Sequence, residues 1–192
     1  LTAYNTDNPG GVSDTVTVQV VSDNSYVSLS GTHIQPYISW NTAATNIQDA
    51  IDAAPYGGTV LVTNGVYNIN GYVTNGMTNR VGIYKPITVQ SVNGPDVTII
   101  AGNGPNGNSA VRCAYLNKDA VLDGFTLTNG HTRTSGDYTY ERTGGGAFLD
   151  YGGILTNCIV IDNSASYKGG GIYCYNGGTV NNCVIKGNYA TS

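Results

Sequence analysis

The stretch Gly144-Gly145-Gly146-Ala147-Phe148-Leu149-Asp150-Tyr151-Gly152-Gly153-Ile154-Leu155-Thr156-Asn157-Cys158 recurs 25 residues later. The second copy is Gly169-Gly170-Gly171-Ile172-Tyr173-Cys174-Tyr175-Asn176-Gly177-Gly178-Thr179-Val180-Asn181-Asn182-Cys183. The match runs on through Asn163 and Asn188, and through Ala165 and Ala190. An earlier copy lies 33 residues upstream of the first, aligning Ala114-Tyr115-Leu116 with Ala147-Phe148-Leu149, Val121-Leu122 with Ile154-Leu155, Phe125 with Cys158 and Leu127 with Val160. The eight extra residues fall between Asn129 and Thr143, where a surface loop absorbs them, as stacked repeats tolerate an insertion at one turn.

Inside each unit, apolar residues come in bursts of three to five rich in Val, Ile and Tyr, broken by Gly, Asn and Asp. This is strand and turn chemistry without a 3.6-residue period. Units near 25 residues built of short strands stack as a parallel β-solenoid, with equivalent residues about 4.8 Å apart. The alignment then predicts an interior stack of Phe125, Cys158 and Cys183, another of Leu127, Val160 and Ile185, and an amide ladder through Asn163 and Asn188. Upstream, Thr59–Val62, Ile87–Val89 and Val97–Ile100 supply less regular strands, for about five coils in all. One helix is expected: Thr45-Asn46-Ile47-Gln48 has capping-box spacing, Ile47, Ala50, Ile51 and Ala54 share a face, and Pro55 stops it. Placed before the first coil, it would cap the apolar interior.

The chain has 192 residues and a mass of 20.0 kDa, with 10% charged residues, a net charge of −4 and Glu141 as its single glutamate. That argues against helical bundles and coiled coils. Without a basic stripe nucleic acid is not an expected partner, and without an 18-residue apolar run no membrane span is expected. The 40% apolar fraction, well patterned, argues against disorder. The polar, charge-poor composition, rich in Asn, Gly, Thr and Tyr, points to an exported protein at the cell surface or outside it. The start at Leu1 fits a processed form or a fragment.

Trp40, the segment Ala43-Ala44-Thr45-Asn46-Ile47-Gln48-Asp49-Ala50-Ile51, Gly57-Gly58-Thr59-Val60-Leu61-Val62 and Gly65-Val66-Tyr67 resemble the entry of right-handed parallel β-helix proteins of the pectate-lyase-like superfamily. From about residue 26 on, the Gly124–Gly130 segment and the Gly-Gly-Gly and Asn-Cys signatures resemble bacterial secreted repeat proteins. The resemblance implies an all-β solenoid; it does not fix a function, because one fold hosts many activities. The resulting division is a β-strand extension over 1–21, a strand and capping helix over 22–56, and coils over 57–192. Leu1–Tyr4 and Thr15–Val21 read as two strands around an Asn8-Pro9-Gly10-Gly11 turn, similar to the end of an immunoglobulin-like or PKD-type sandwich. An isolated hairpin is marginal in water, so these strands need a partner sheet.

The resemblance raises lyase and hydrolase chemistry, which needs Ca²⁺-binding aspartates with a base, or two carboxylates facing one groove. Asp119, Asp123, Asp150 and Asp162 occur singly, and the basic residues are scattered. No catalytic set, cofactor or metal site is expected, and enzyme activity is left open with a non-catalytic role preferred. Cys113, Cys158, Cys174 and Cys183 lack zinc-ligand spacing. Cys158 and Cys183 are close enough on Cα distance for a disulfide, but parallel side chains of one stack disfavour its dihedral, so free thiols are expected. His33 is expected to be structural. The insertion holds His131, Arg133, Asp137, Tyr138, Tyr140, Glu141 and Arg142, a mixed charged and aromatic set suited to binding a sugar or partner. Tyr115, Phe148 and Tyr173 should form a ladder that packs along the axis.

Nothing in the last unit, Cys183 to Ser192, reads as a cap, although stacked repeats need one. This predicts a longer parent chain or end-to-end association of copies, with Leu1, Tyr4, Val16, Val18 and Val20 at one end meeting Val184, Ile185 and Tyr189 at the other. The expected function is a secreted structural subunit of a fibre or surface assembly. The alternatives are a module that binds or degrades polysaccharide, or an adhesin-like surface domain.

Overall fold

Left-handed backbone at regularly spaced Gly, Asn and Asp residues sets the architecture. The computed structural model describes residues 2–3, 12–13 and 22–191. Its elements are β1 (Thr2–Ala3), β2 (Val12–Ser13), β3 (Asn24–Val27), α1 (Ile47–Ala53), β4 (Thr59–Val62), β5 (Gly65–Tyr67), β6 (Tyr72–Thr74), β7 (Met77–Ile83), β8 (Thr88–Ser91), β9 (Thr98–Ala101) and β10 (Arg112–Leu116). They continue with β11 (Val121–Asp123), β12 (Thr126–Thr128), β13 (Ala147–Leu149), β14 (Ile154–Thr156), β15 (Ile159–Ile161), β16 (Ser164–Ala165), β17 (Ile172–Cys174), β18 (Thr179–Asn181), β19 (Val184–Lys186) and β20 (Tyr189–Ala190). The described chain is mostly β, with one short helix.

Three larger sheets run in the orders β17-β13-β10-β7-β6, β18-β14-β11-β8-β4-β3 and β19-β15-β12-β9-β5. Every pairing in them is parallel except β6 with β7. The aligned repeats are the paired strands: Tyr115 sits opposite Phe148 and Phe148 opposite Tyr173, Leu122 opposite Leu155, and Leu127 opposite Val160 opposite Ile185. One apolar cluster draws on all three sheets, with Leu116, Leu122, Phe125, Leu127, Leu149, Leu155, Cys158 and Val160 buried in it.

Each unit bends where a residue with positive φ stands. Asp119, Gly152 and Gly177 occupy one bend (φ 58, 94 and 89°), Gly124, Asn157 and Asn182 the next (81, 52 and 48°), and Asn129, Asp162 and Gly187 the third (53, 54 and 65°). Gly, Asn and Asp are the residues that enter this region most cheaply. In each triple glycine the first residue, Gly144 or Gly169, is likewise left-handed (φ 64 and 60°), and the glycines that follow have a different cause. Gly145 and Gly146 donate to the carbonyls of Gly169 and Gly170 in the next unit, and a Cβ on Gly145 would lie 2.3 Å from the Ser164 carbonyl oxygen.

The helix forms as expected, with two changes. Its N-cap is Asn46, whose side chain accepts from the Asp49 N–H at 3.0 Å, so the Thr45–Gln48 capping box is not used. Gln48 instead turns inward and brackets Gly82 of β7, accepting from its N–H at 2.8 Å and donating to its carbonyl at 3.2 Å. Ile47, Ala50, Ile51 and Ala54 are buried as the shared face requires.

At the N-terminus, Thr2–Ala3 pairs antiparallel with Val12–Ser13, so the partner of the first strand lies before the expected Thr15–Val21 strand. Leu1, Tyr4, Val16, Val18 and Val20 lie outside the described residues. No helix among the described residues is long and apolar enough to cross a membrane.

Candidate functional site

The outer side of the first sheet carries a line of aromatic rings across β7, β10, β13 and β17. Outward positions on these strands are Gly82, Tyr115, Phe148 and Tyr173, in direct register. Tyr115 and Phe148 stack with centroids 5.8 Å apart, and Phe148 and Tyr173 lie 5.7 Å apart. Gly82 has no side chain to extend the ladder. Tyr72 folds over it, so close that a Cβ there would lie 2.1 Å from the ring, and stacks on Tyr84 at 5.4 Å. The inserted loop adds Tyr140, stacked on Phe148 at 5.5 Å and edge-on to Tyr175 at 5.4 Å. Three rungs separate the outer strands, about 14 Å of axis.

The ladder packs along the axis, as expected, and its middle is deeply covered. Phe148 is fully buried and Tyr115 is 5% exposed, because the insertion and neighbouring rings cover them. The open rings are those at the flanks: Tyr84 (37%), Tyr175 (42%) and Tyr151 (58%).

Polar groups sit among the rings. Asp150 is buried, accepting from the Tyr115 hydroxyl at 3.3 Å and from Asn176 Nδ2 at 2.9 Å. Burial, then the Asp150 charge, raise the Tyr115 phenol well above its ordinary value. Burial, then Asp52, push Tyr84 up to about 12. Both phenols are therefore hydrogen-bond donors at physiological pH.

The loop is fixed by Arg112, which the sequence offered only as one scattered base. Its buried guanidinium donates to the carbonyls of Gly144 (2.8 Å), Tyr140 (2.6 Å) and Thr143 (2.8 Å) and to Asn79 Oδ1 (2.8 Å), and lies 4.9 Å from the Phe148 centroid. Burial pushes its pKa down to about 9, still high enough for a cation at neutral pH. Acceptor dipoles hold that charge. Within the loop, Arg133 pairs with Glu141 at 2.8 Å, Glu141 Oε1 accepts from the Asp137 N–H at 3.1 Å, and Asp137 Oδ1 accepts from the N–H groups of Thr139 and Tyr140. Arg142 lies over Tyr138 at 4.2 Å.

Thus, of the expected binding loop, Tyr140 joins the aromatic line, while Arg133, Asp137 and Glu141 hold the loop together. Tyr138 and Arg142 form a second aromatic–cation cluster with Tyr167 and Lys168. His131 takes no part, and its Nδ1 lies 3.1 Å from the Asn129 carbonyl. His33 is held by Thr45 and pairs with Asp49 at 3.2 Å. Tyr72 and Tyr84 are absent from the expected ladder: Tyr72 comes from β6, which pairs antiparallel with β7, and Tyr84 directly follows β7, which pairs parallel with β10.

Asp123 and Asp150 belong to different sheets. Among the described residues no group of three or more His, Cys, Asp or Glu side chains could hold a metal ion, and all four cysteines are free. Val184, Ile185 and Tyr189, the expected assembly contacts, are exposed on the last unit. A continuation of the chain and a second copy would cover them equally. Comparisons with protein-family models, with curated proteins and with solved structures return no match.

Proposed function

We propose that the chain is a right-handed parallel β-helix of about five coils, part of an exported surface protein, whose aromatic face binds polysaccharide without transforming it. The observation that carries this reading is the line from Tyr84 to Tyr175. It crosses four strands along the stacking direction, with open rings at its ends and the buried Tyr115 and Phe148 holding them apart. Sugars present apolar C–H faces, so an extended glycan laid along the axis would stack on the open rings of Tyr84 at one end and Tyr175 at the other. The rigid sheet and the Arg112-fixed loop fix the spacing before binding, which lowers the ordering cost.

Affinity electrophoresis against neutral and acidic polysaccharides tests the reading. Retardation by at least one glycan is expected, reduced in Tyr84→Ala/Tyr175→Ala with the circular dichroism spectrum unchanged. Migration unaffected by every glycan would overturn it.

A second reading is end-to-end assembly, in which a second copy would cover the open apolar side chains Val180, Val184 and Ile185. Light scattering at rising protein concentration separates the two: fibres suppressed by Ile185→Lys favour assembly, and a constant 20.0 kDa species excludes it.

A further inference from the structure

Cys158 and Cys183 occupy the same position in consecutive units. The backbone on either side is paired: the Asn157 N–H donates to the Asn181 carbonyl at 3.1 Å, and the Val184 N–H to the Cys158 carbonyl at 2.9 Å. This parallel pairing sets the two Cα atoms about 4.8 Å apart, within the range a disulfide spans. The side chains point the same way, with each Sγ 3.7 Å from the equivalent leucine carbonyl of the preceding unit, Leu122 or Leu155. In a flat strand that orientation would be locked by the pleat. Here neither cysteine is in a strand. Each follows a left-handed asparagine, Asn157 or Asn182, at the bend before β15 or β19.

The two thiols are unequal. Cys158 is buried and Cys183 is half-buried. The neighbouring Cys158 thiol favours the thiolate on the less buried Cys183, whose pKa is lowered, while that of Cys158 is raised. Cys183 thus has the character of an attacking sulfur, with a second thiol at the equivalent position of the neighbouring unit.

We propose that Cys158 and Cys183 are an oxidisable dithiol, closed into an intrachain disulfide by a disulfide oxidant of the glutathione class. The Cys183 thiolate attacks one sulfur of the oxidant, forming a mixed disulfide and releasing one thiolate. The Cys158 sulfur, losing its proton to solvent, then attacks Cys183 Sγ. The protein disulfide forms and the second glutathione leaves as thiolate. Two protein thiols are oxidised and one oxidant disulfide is reduced to two thiols. The bond ties β18–β19 to β14–β15 and closes a loop of about 25 residues.

The full chain is treated with oxidised glutathione, alkylated in denaturant and mapped by mass spectrometry. The expected result is loss of two of four alkylatable thiols, a mass lower by two hydrogen atoms before alkylation, and a Cys158–Cys183 linked peptide. Cys158→Ser should instead retain glutathione on Cys183, Cys183→Ser should give neither product, and Cys174→Ser should behave as the parent. In the oxidised chain, amide exchange over 179–186 should slow at least tenfold and recover on reduction. Four thiols remaining after oxidation, a link through Cys174, or the same stable adduct in the parent and in Cys158→Ser would overturn the proposal.

Discussion

Replacing Asn163 by alanine tests how far polar side chains at the bends hold the stack together. Asn163 is 1% exposed. Its Oδ1 accepts from the Gly130 N–H at 2.7 Å, where the inserted loop begins. Its Nδ2 lies within bonding distance of the carbonyls of Leu127 (2.9 Å) and Ile161 (3.0 Å) and of Asn188 Oδ1 (3.0 Å). Two hydrogens serve these three acceptors, so alanine removes about three bonds and orphans one buried N–H. A buried group left unpaired costs about 1–3 kcal/mol. The N–H bears that in full, whereas Asn188 can turn to other partners and the carbonyls keep a second lone pair. The expected loss is about 3 kcal/mol. With a urea slope of about 1–3 kcal/mol/M for proteins of this size, the midpoint falls by about 1–3 M. Stacked units can unfold separately, so amide exchange over β12, β15 and β16 should accompany the melt. A midpoint shift below about 0.5 M, with unchanged exchange at Gly130, would refute the reasoning. Asn163→Asp refines it. The ionised carboxylate would face the Leu127 and Ile161 carbonyls without a hydrogen to donate, so its folded pKa should be raised. That variant should therefore lose stability as pH rises through that value and recover in acid.

Three further outcomes are expected. Gly145→Ala places a Cβ 2.3 Å from the Ser164 carbonyl oxygen and 2.6 Å from that of Gly170, and should destabilise by about 2–3 kcal/mol in a denaturant melt, because backbone must move. Gly82→Ala should displace the Tyr72 ring and weaken glycan retardation in the electrophoretic assay while α1 stays folded by amide exchange. In alkaline ultraviolet titration, Tyr67, Tyr84, Tyr115 and Tyr140 should ionise above their ordinary value, Tyr84 near 12. Their folded pKa values are raised, so the associated stability is intact below pH about 10 and is lost as pH climbs through the folded values.

Much of this architecture is written in the repeat. Alignment alone puts Leu127, Val160 and Ile185 in one row and Asn163 beside Asn188, and both hold because a parallel register repeats with the sequence period. The upstream half was harder to read. Strand β7 runs seven residues, pairs parallel with β10 and antiparallel with β6, so Tyr72 reaches the aromatic face from outside the aligned repeats and Tyr84 from the end of β7. The depth at which the ladder is covered leaves no trace in the period for a similar reason. Tyr115 and Phe148 point outward, but a ring from the insertion covers them, and a period does not reveal what folds over a face. Arg112 left no local signal, since its partners are carbonyls whose positions depend on the loop.

The interior alone sets the register only in part: a one-residue slip would turn every inward residue outward, but a two-residue slip keeps Val, Leu and Ile inward. Specificity comes from groups that tolerate no slip. The left-handed residues at three bends per unit must be Gly, Asn, Asp or similar. The glycines at 145 and 170 must face carbonyls, and Asn163 must reach both Gly130 and Leu127. The same devices place the aromatic line, because β10, β13 and β17 are aligned by the bends on either side of them. A substitution that loosens a bend should therefore weaken glycan binding at a distance, through ring spacing, whereas an interior Leu→Ala change of equal stability cost, such as Leu122→Ala, should leave the ring spacing and binding unchanged.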